Sequence, residues 1–189
     1  MLGLQQIRRA RDRRGASGFT LVELLTVVAI VGVLASVCIV LVRRHLRDSK
    51  SLEAVSIIAA IRAAQEAQRA ETGSYLNVSR TSQWYPAAPD GKTKRAFTMA
   101  DGAHVDAARW KQLGVSRTDG TQFGFRTYAG PPGPINVQLN TIGTVTLPDA
   151  TDDWFVIEAG GNLTQSSAAL SLWVASSLNG ELYVENEGE

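Results

Sequence analysis

Hydrophobic and polar positions divide this chain into three zones. From Phe19 to Val42 the residues are almost uniformly apolar, with Glu23 the only side chain charged at neutral pH. At 1.5 Å per residue such a run forms a helix about 36 Å long, enough to cross a hydrocarbon layer of about 30 Å. Beyond Val42 the pattern becomes amphipathic. Leu46, Leu52, Val55, Ile58, Ile61 and Ala64 recur at helical spacing, while Arg47, Lys50, Glu53, Arg62, Glu66 and Arg69 supply a wet side. No proline interrupts Phe19 to Thr72, and Gly73 is a natural stop, so one helix of about 80 Å is expected. Residues 73–122 read as loop, with Pro86, Pro89, Asp90-Gly91 and Asp101-Gly102, apart from a short helix around Val105 to Leu113. Strand-like runs follow at Phe123–Tyr128, Val137–Leu147, Trp154–Ala159, Leu170–Ser176 and Glu181–Glu185. Turns are expected at Gly160-Gly161 and Asn179-Gly180, and a rigid exposed loop at Gly130–Pro134. The expected fold is α+β, a long N-terminal helix packed on a C-terminal antiparallel sheet. Trp154, Phe155, Trp173 and Tyr183 are assigned to the sheet core or its edges.

Charge sharpens the N-terminal zone. The net charge of +1 is a mixture, because the first eighteen residues hold five arginines (Arg8, Arg9, Arg11, Arg13, Arg14) against one aspartate. Without them the chain has 14 basic and 17 acidic side chains, a balance that gives no reason to expect a nucleic-acid partner. Lys92, Lys94 and Arg95 read as a solvated loop. Small residues, Gly15 to Gly18, lie between the basic leader and the apolar run. A secretory signal has the opposite order, with its cleavage site after a shorter apolar segment. A cut at Gly18 therefore removes only the leader and leaves the anchor on the product; an uncut signal anchor is the alternative. Arg43, Arg44, Arg47 and Lys50 oppose the leader's charge, so orientation rests on the large domain that follows, since long domains translocate largely regardless of charge. The single cysteine, Cys38, lies in the apolar run and excludes an intramolecular disulfide.

A carboxylate in the apolar run costs about 2–3 kcal/mol when deep and less near an interface. A cut after Gly18 places a new amino group on Phe19, four residues before Glu23. The two groups share a helical face and can meet within one chain, or the carboxylate can meet a neighbour's terminus. The alternative is a carboxylate that reaches the headgroup region by itself.

The block Gly18, Phe19, Thr20, Leu21, Val22, Glu23, followed by its apolar helix, resembles the class III signal of type IV prepilins and of type II secretion pseudopilins. The resemblance implies a pilin-like fold and cleavage after Gly18 by a prepilin peptidase. It also implies N-methylation of Phe19, a role for Glu23 in assembly, and helix flexibility at Gly32. The implied organisation is a leader at residues 1–18, a membrane or filament-core helix at 19–42, its amphipathic continuation at 43–72 and a globular head at 73–189. Where many major pilins carry a helix-kinking proline this chain has Val40, and it cannot form their disulfide-closed loop. Thr72 to Tyr75 resembles the end of the long helix in many pilins.

Catalytic patterns are absent from the sequence: there is no phosphate-binding glycine loop, no GxSxG, and only His45 and His104. His104 reads as solvated. Asp149, Asp152 and Asp153 read first as a solvated turn, with no cofactor expected; they are also the candidate calcium ligands, since some pseudopilins bind calcium near the C-terminal sheet, although their spacing is not that of an EF-hand. Asn77-Val78-Ser79 and Asn162-Leu163-Thr164 fit the glycosylation triplet and carry no assigned function. The expected function is a structural subunit of a type IV pilus-like filament. It is made in the bacterial cytoplasmic membrane and joined to other pilins through an assembly platform and motor proteins. A secretion pseudopilin, or a single-pass anchored binding module or enzyme, is the alternative.

Overall fold

The computed structural model describes residues 19–86, 88–90, 93–97, 104–137, 139–140, 147–163 and 170–186. The chain divides into two compact units, Met1–Arg43 and Arg44–Glu189. The 52-residue helix α1, Leu21–Thr72, contributes to both.

In the first unit every described residue is exposed, the large apolar side chains included. An apolar helix with none of its spanning window buried is not the core helix of a soluble domain. Its length and composition suit a bilayer. The hydroxyl side chains in this stretch are satisfied within the helix: Thr26 Oγ1 donates to the Glu23 carbonyl at 2.9 Å and Ser36 Oγ to the Val33 carbonyl at 2.7 Å. Such back-bonding keeps polar atoms paired where no water is present.

The second unit is α+β. After α1 come β1 (Arg95–Phe97), α2 (Ala107–Leu113), β2 (Arg117–Thr121), β3 (Gly124–Gly130), β4 (Trp154–Gly161), β5 (Ser171–Ser176) and β6 (Leu182–Glu185). Strands β3-β4-β5-β6 form an antiparallel sheet in that order, and β1 pairs antiparallel with β2. The helix ends as its glycine predicts. Gly73 sits at φ 81° and donates its N–H to the Arg69 carbonyl at 2.8 Å.

Alternation along the strands sorts two cores. Phe125, Ala129, Phe155, Ile157, Ala159, Trp173 and Ala175 pack with Ala54, Ile57, Ile58 and Ile61 of α1. Tyr128, Trp154, Val156 and Val174 occupy the opposite face, covered by Ile135, Val137, Leu139, Leu147, Leu178 and Tyr183. The central strands β4 and β5 are therefore buried on both sides, which is why apolar residues follow one another at Trp154–Ile157 and Leu172–Ala175 instead of alternating.

The helical stripe differs from its expected position. Buried residues of α1 are Ser51, Ala54, Ile57, Ile58, Ile61 and Gln65, whereas Leu46 and Leu52 are 57% and 68% exposed and Val55 and Ala64 flank the core. Two polar residues complete the stripe because each is satisfied. Ser51 Oγ donates to the Asp48 carbonyl at 2.9 Å. Fully buried Gln65 donates Nε2 to the Leu76 carbonyl (2.8 Å) and Thr127 Oγ1 (3.2 Å) and accepts the Leu76 N–H (2.9 Å). A count of large apolar residues passes over both.

Other expectations are corrected by packing. Gly160-Gly161 is no turn; both residues end β4, paired with Leu172 and Ser171. They are glycines because aromatic rings lie against the strand. A Cβ on Gly160 would stand 2.9 Å from Trp84, and one on Gly161 would stand 2.4 Å from Phe123. Gly161→Ala is expected to displace the Phe123 ring and cost about 1–3 kcal/mol, read as a lower Tm by circular dichroism. An unchanged Tm would show that the ring moves freely. Gly130 belongs to β3 rather than to a loop, and Pro131, Pro132 and Pro134 are exposed as expected. The described positions of the run 137–147 lie outside any strand and help to cover the outer sheet face. Asn179-Gly180 does lie in the β5–β6 hairpin, but Gly180 is not at positive φ, so this is not the tight two-residue turn that the dipeptide suggests. Arg95 is part of β1, paired with Thr121, instead of a loop residue, and Lys92 lies outside the described residues.

The described residues of 73–122 are more regularly packed than their composition implies. Tyr85 forms a bridge with Phe125 through both backbone hydrogen bonds, at 3.0 and 2.7 Å. Around it Phe97, Trp110 and His104 assemble at ring-centroid distances of 5.1 to 5.2 Å. His104 is half-buried. Its Nε2 lies 3.0 Å from the Trp84 carbonyl and its Nδ1 accepts the Asp106 N–H at 3.1 Å, which corrects the solvated reading.

Candidate functional site

Gly18 and the arginine-rich leader lie outside the described residues. Phe19 precedes the helix and is exposed, so the backbone on the product side of the Gly18–Phe19 bond is not tied into helical hydrogen bonding. Thr20 and Glu23 start the helix together. Thr20 donates its backbone N–H and its Oγ1 to Glu23 Oε2, each at 3.0 Å, and Thr20 Oγ1 accepts the Glu23 N–H at 3.2 Å. The Thr20 carbonyl then accepts the Leu24 N–H at 3.2 Å. This reciprocal arrangement is a capping box. It satisfies donors that a helix end leaves open and places the carboxylate at the positive end of the helix dipole.

From sequence alone Glu23 meets either an amino terminus, in its own chain or a neighbour's, or the headgroup region; the structure adds Thr20 as its partner. The Thr20–x–x–Glu23 pattern was present in the residues and carries a second role. Glu23 is bonded within its own chain, one residue from the Phe19 nitrogen that cleavage would free. Glu23 forms no ion pair among the described residues. Gly32 lies inside α1 with no atom within 4 Å of a would-be Cβ, so neither a local clash nor an unusual backbone requires glycine there.

The head contains a polar centre that the sequence did not announce. Arg126 and Glu158 are cross-strand partners on the outer face of β3 and β4. Both are buried, and Arg126 Nη2 donates to Glu158 Oε2. The guanidinium stacks 4.0 Å from the Trp84 ring centroid and donates Nη1 to the Ser82 carbonyl at 2.9 Å. Glu158 Oε1 accepts the Asn140 N–H at 2.8 Å. Burial pushes the Glu158 carboxyl above its ordinary range, against the pull of Arg126 and the Asn140 amide. This centre ties the segment at Ser82–Trp84 and the covering segment at Asn140 to the sheet.

Among the described residues, no group of three or more His, Cys, Asp or Glu side chains is placed to hold a metal ion. Of the candidate ligands, Asp149 and Asp152 are exposed and Asp153 is half-buried. Asp152 and Asp153 lie in the field of Arg69, whose guanidinium is held above its usual value first by its hydrogen bond to Tyr75 and to a lesser extent by these two carboxylates. His45 is exposed on α1.

No curated protein and no solved structure matches the chain. One family model does. Residues 13–39 match the prokaryotic N-terminal methylation motif, the class III signal of type IV pilins and pseudopilins.

Proposed function

We propose that this chain is the precursor of a structural subunit in a type IV pilus-like filament. Prepilin peptidase cuts it after Gly18 and methylates the new N-terminal Phe19. The mature subunit waits in the bacterial cytoplasmic membrane and enters the filament through its apolar helix, with an assembly platform and motor proteins supplying the work. The supporting observation is the register of Gly18, Phe19 and Glu23 at the start of a helix whose apolar residues from Leu21 to Val42 are all exposed. That surface of more than twenty residues needs either lipid or other helices around it. Gly32 supplies the point at which the helix loosens during packing.

Co-expression with a prepilin peptidase tests the processing. Mass spectrometry is expected to show loss of residues 1–18 and one added methyl group on Phe19. An intact N-terminus, under conditions that process a known prepilin, would leave an anchored binding module as the better reading. The same features serve a secretion pseudopilus. A strain lacking the gene separates the two uses: loss of surface filaments marks a pilus subunit, and blocked export with filaments retained marks a pseudopilin.

A further inference from the structure

A pocket of about 470 Å³ opens on the head beside β3. One wall is the chain that leaves α1. It is fixed alongside β3 by the Ser79 N–H donating to the Thr127 carbonyl at 3.0 Å and the Thr127 N–H donating to Ser79 Oγ at 3.1 Å. This wall presents Asn77, Arg80 and Ser82. The floor is Tyr128 of β3 with Trp154 of β4, and Asn136, on the connection after β3, closes the far side.

Two polar atoms of these residues lack a hydrogen-bond partner among the described residues. Asn77 Oδ1 and Tyr128 Oη are buried without a hydrogen bond, and Tyr128 as a residue is only 6% exposed. Ser82 stands near the Tyr128 hydroxyl without reaching hydrogen-bonding geometry. Leaving such atoms unpaired costs about 1–3 kcal/mol each, a cost that a bound polar group recovers. Amides and hydroxyls both donate and accept, so a wall of Asn77, Ser82, Tyr128 and Asn136 suits a ligand with several hydroxyl groups. Arg80 is exposed, no carboxylate lines the pocket, and Arg80 forms no ion pair among the described residues. The volume is that of a small-molecule site.

We propose that this pocket binds a polyhydroxylated ligand bearing a carboxylate, the chemistry of a uronic-acid unit in an acidic polysaccharide. Arg80 receives the carboxylate, the exposed Ser82 and Asn136 receive ring hydroxyls, and the covered oxygens of Asn77 and Tyr128 are reached as the wall of the pocket adjusts around the ligand. This reading is independent of the processing and assembly proposed above.

The test uses the full chain in a detergent without a sugar headgroup. Glucuronate, glucose and acetate are titrated separately, with tryptophan fluorescence and ligand-observed NMR as readouts. Glucuronate is expected to saturate at a concentration about tenfold or more below glucose and acetate, one charge-assisted hydrogen-bonded pair being enough for that difference. Arg80→Gln should remove that advantage. Tyr128→Phe should weaken glucuronate about threefold or more without lowering Tm, because the lost hydroxyl has no partner within the fold. No saturable response, equal affinity for glucose and glucuronate, or unchanged glucuronate binding in Arg80→Gln would each overturn the proposal. So would a Tyr128→Phe protein that loses Tm while binding glucuronate as before.

Discussion

Glu158→Ala is expected to destabilise the head by about 3–5 kcal/mol, because it leaves the Arg126 guanidinium buried without its carboxylate. For a unit of this size the loss corresponds to a fall in Tm on the order of 10 °C. Near-UV circular dichroism on the full chain in detergent would follow it. The Asn140 N–H loses its acceptor at the same time, so the covering segment at residues 139–140 should become more accessible to proteolysis than the rest of the sheet. The double substitution Arg126→Met with Glu158→Leu removes both charges and should recover most of the stability, since a buried pair replaced by apolar side chains of similar size is often neutral. Glu158→Ala melting with the unsubstituted protein would mean that Arg126 finds another counter-charge.

The second large effect belongs to Glu23. Glu23→Ala is expected to insert and be cleaved normally, yet to reduce incorporation into filaments on the order of 10²-fold, as befits loss of about 3 kcal/mol of contact in a water-free environment. The capping box makes a sharper experiment available. Glu23→Gln keeps a side-chain oxygen able to accept from Thr20 but carries no charge, whereas Thr20→Val retains the charge and removes the hydroxyl. If the carboxylate meets an amino terminus, Glu23→Gln fails as badly as Glu23→Ala and Thr20→Val assembles. If capping is the whole role, Glu23→Gln assembles and Thr20→Val is impaired, by an amount matched to the roughly 1 kcal/mol that a cap contributes. Filament yield by electron microscopy, normalised to processed subunit in the membrane, reads all three.

Much of the arrangement was legible because it rests on strong local signals. The apolar run, the glycine after Thr72, and the apolar segments of β3, β4 and β5 each state their structure through period, length or a helix stop. Glycines were legible as glycines but ambiguous in purpose. Gly160 and Gly161 make room for Trp84 and Phe123, residues distant in sequence, so no local rule distinguishes them from a turn. Gln65 was assigned no place because its burial depends on Leu76 and Thr127, both supplied by chain that follows the helix. Arg126 and Glu158 are illegible as a pair for the same reason. An arginine and a glutamate 32 residues apart become a pair only once the register of β3 against β4 is set. At the N-terminus, Thr20 stands out in sequence only as part of the signal block; its hydrogen bond to the carboxylate three residues later follows from where the helix begins.

The hydroxyls of the apolar half of α1 turn back onto their own helix, and the carboxylate of Glu23 turns back onto Thr20. Such a segment brings few unmet polar demands to its surroundings. It can trade acyl chains for neighbouring helices without breaking a side-chain hydrogen bond, so the exchange between these two oily solvents is close to neutral in free energy along most of its length. A near-neutral step is readily reversed. An assembly built on such helices would then be held in register by the few polar contacts at their ends rather than by the greasy surface that makes up most of the contact.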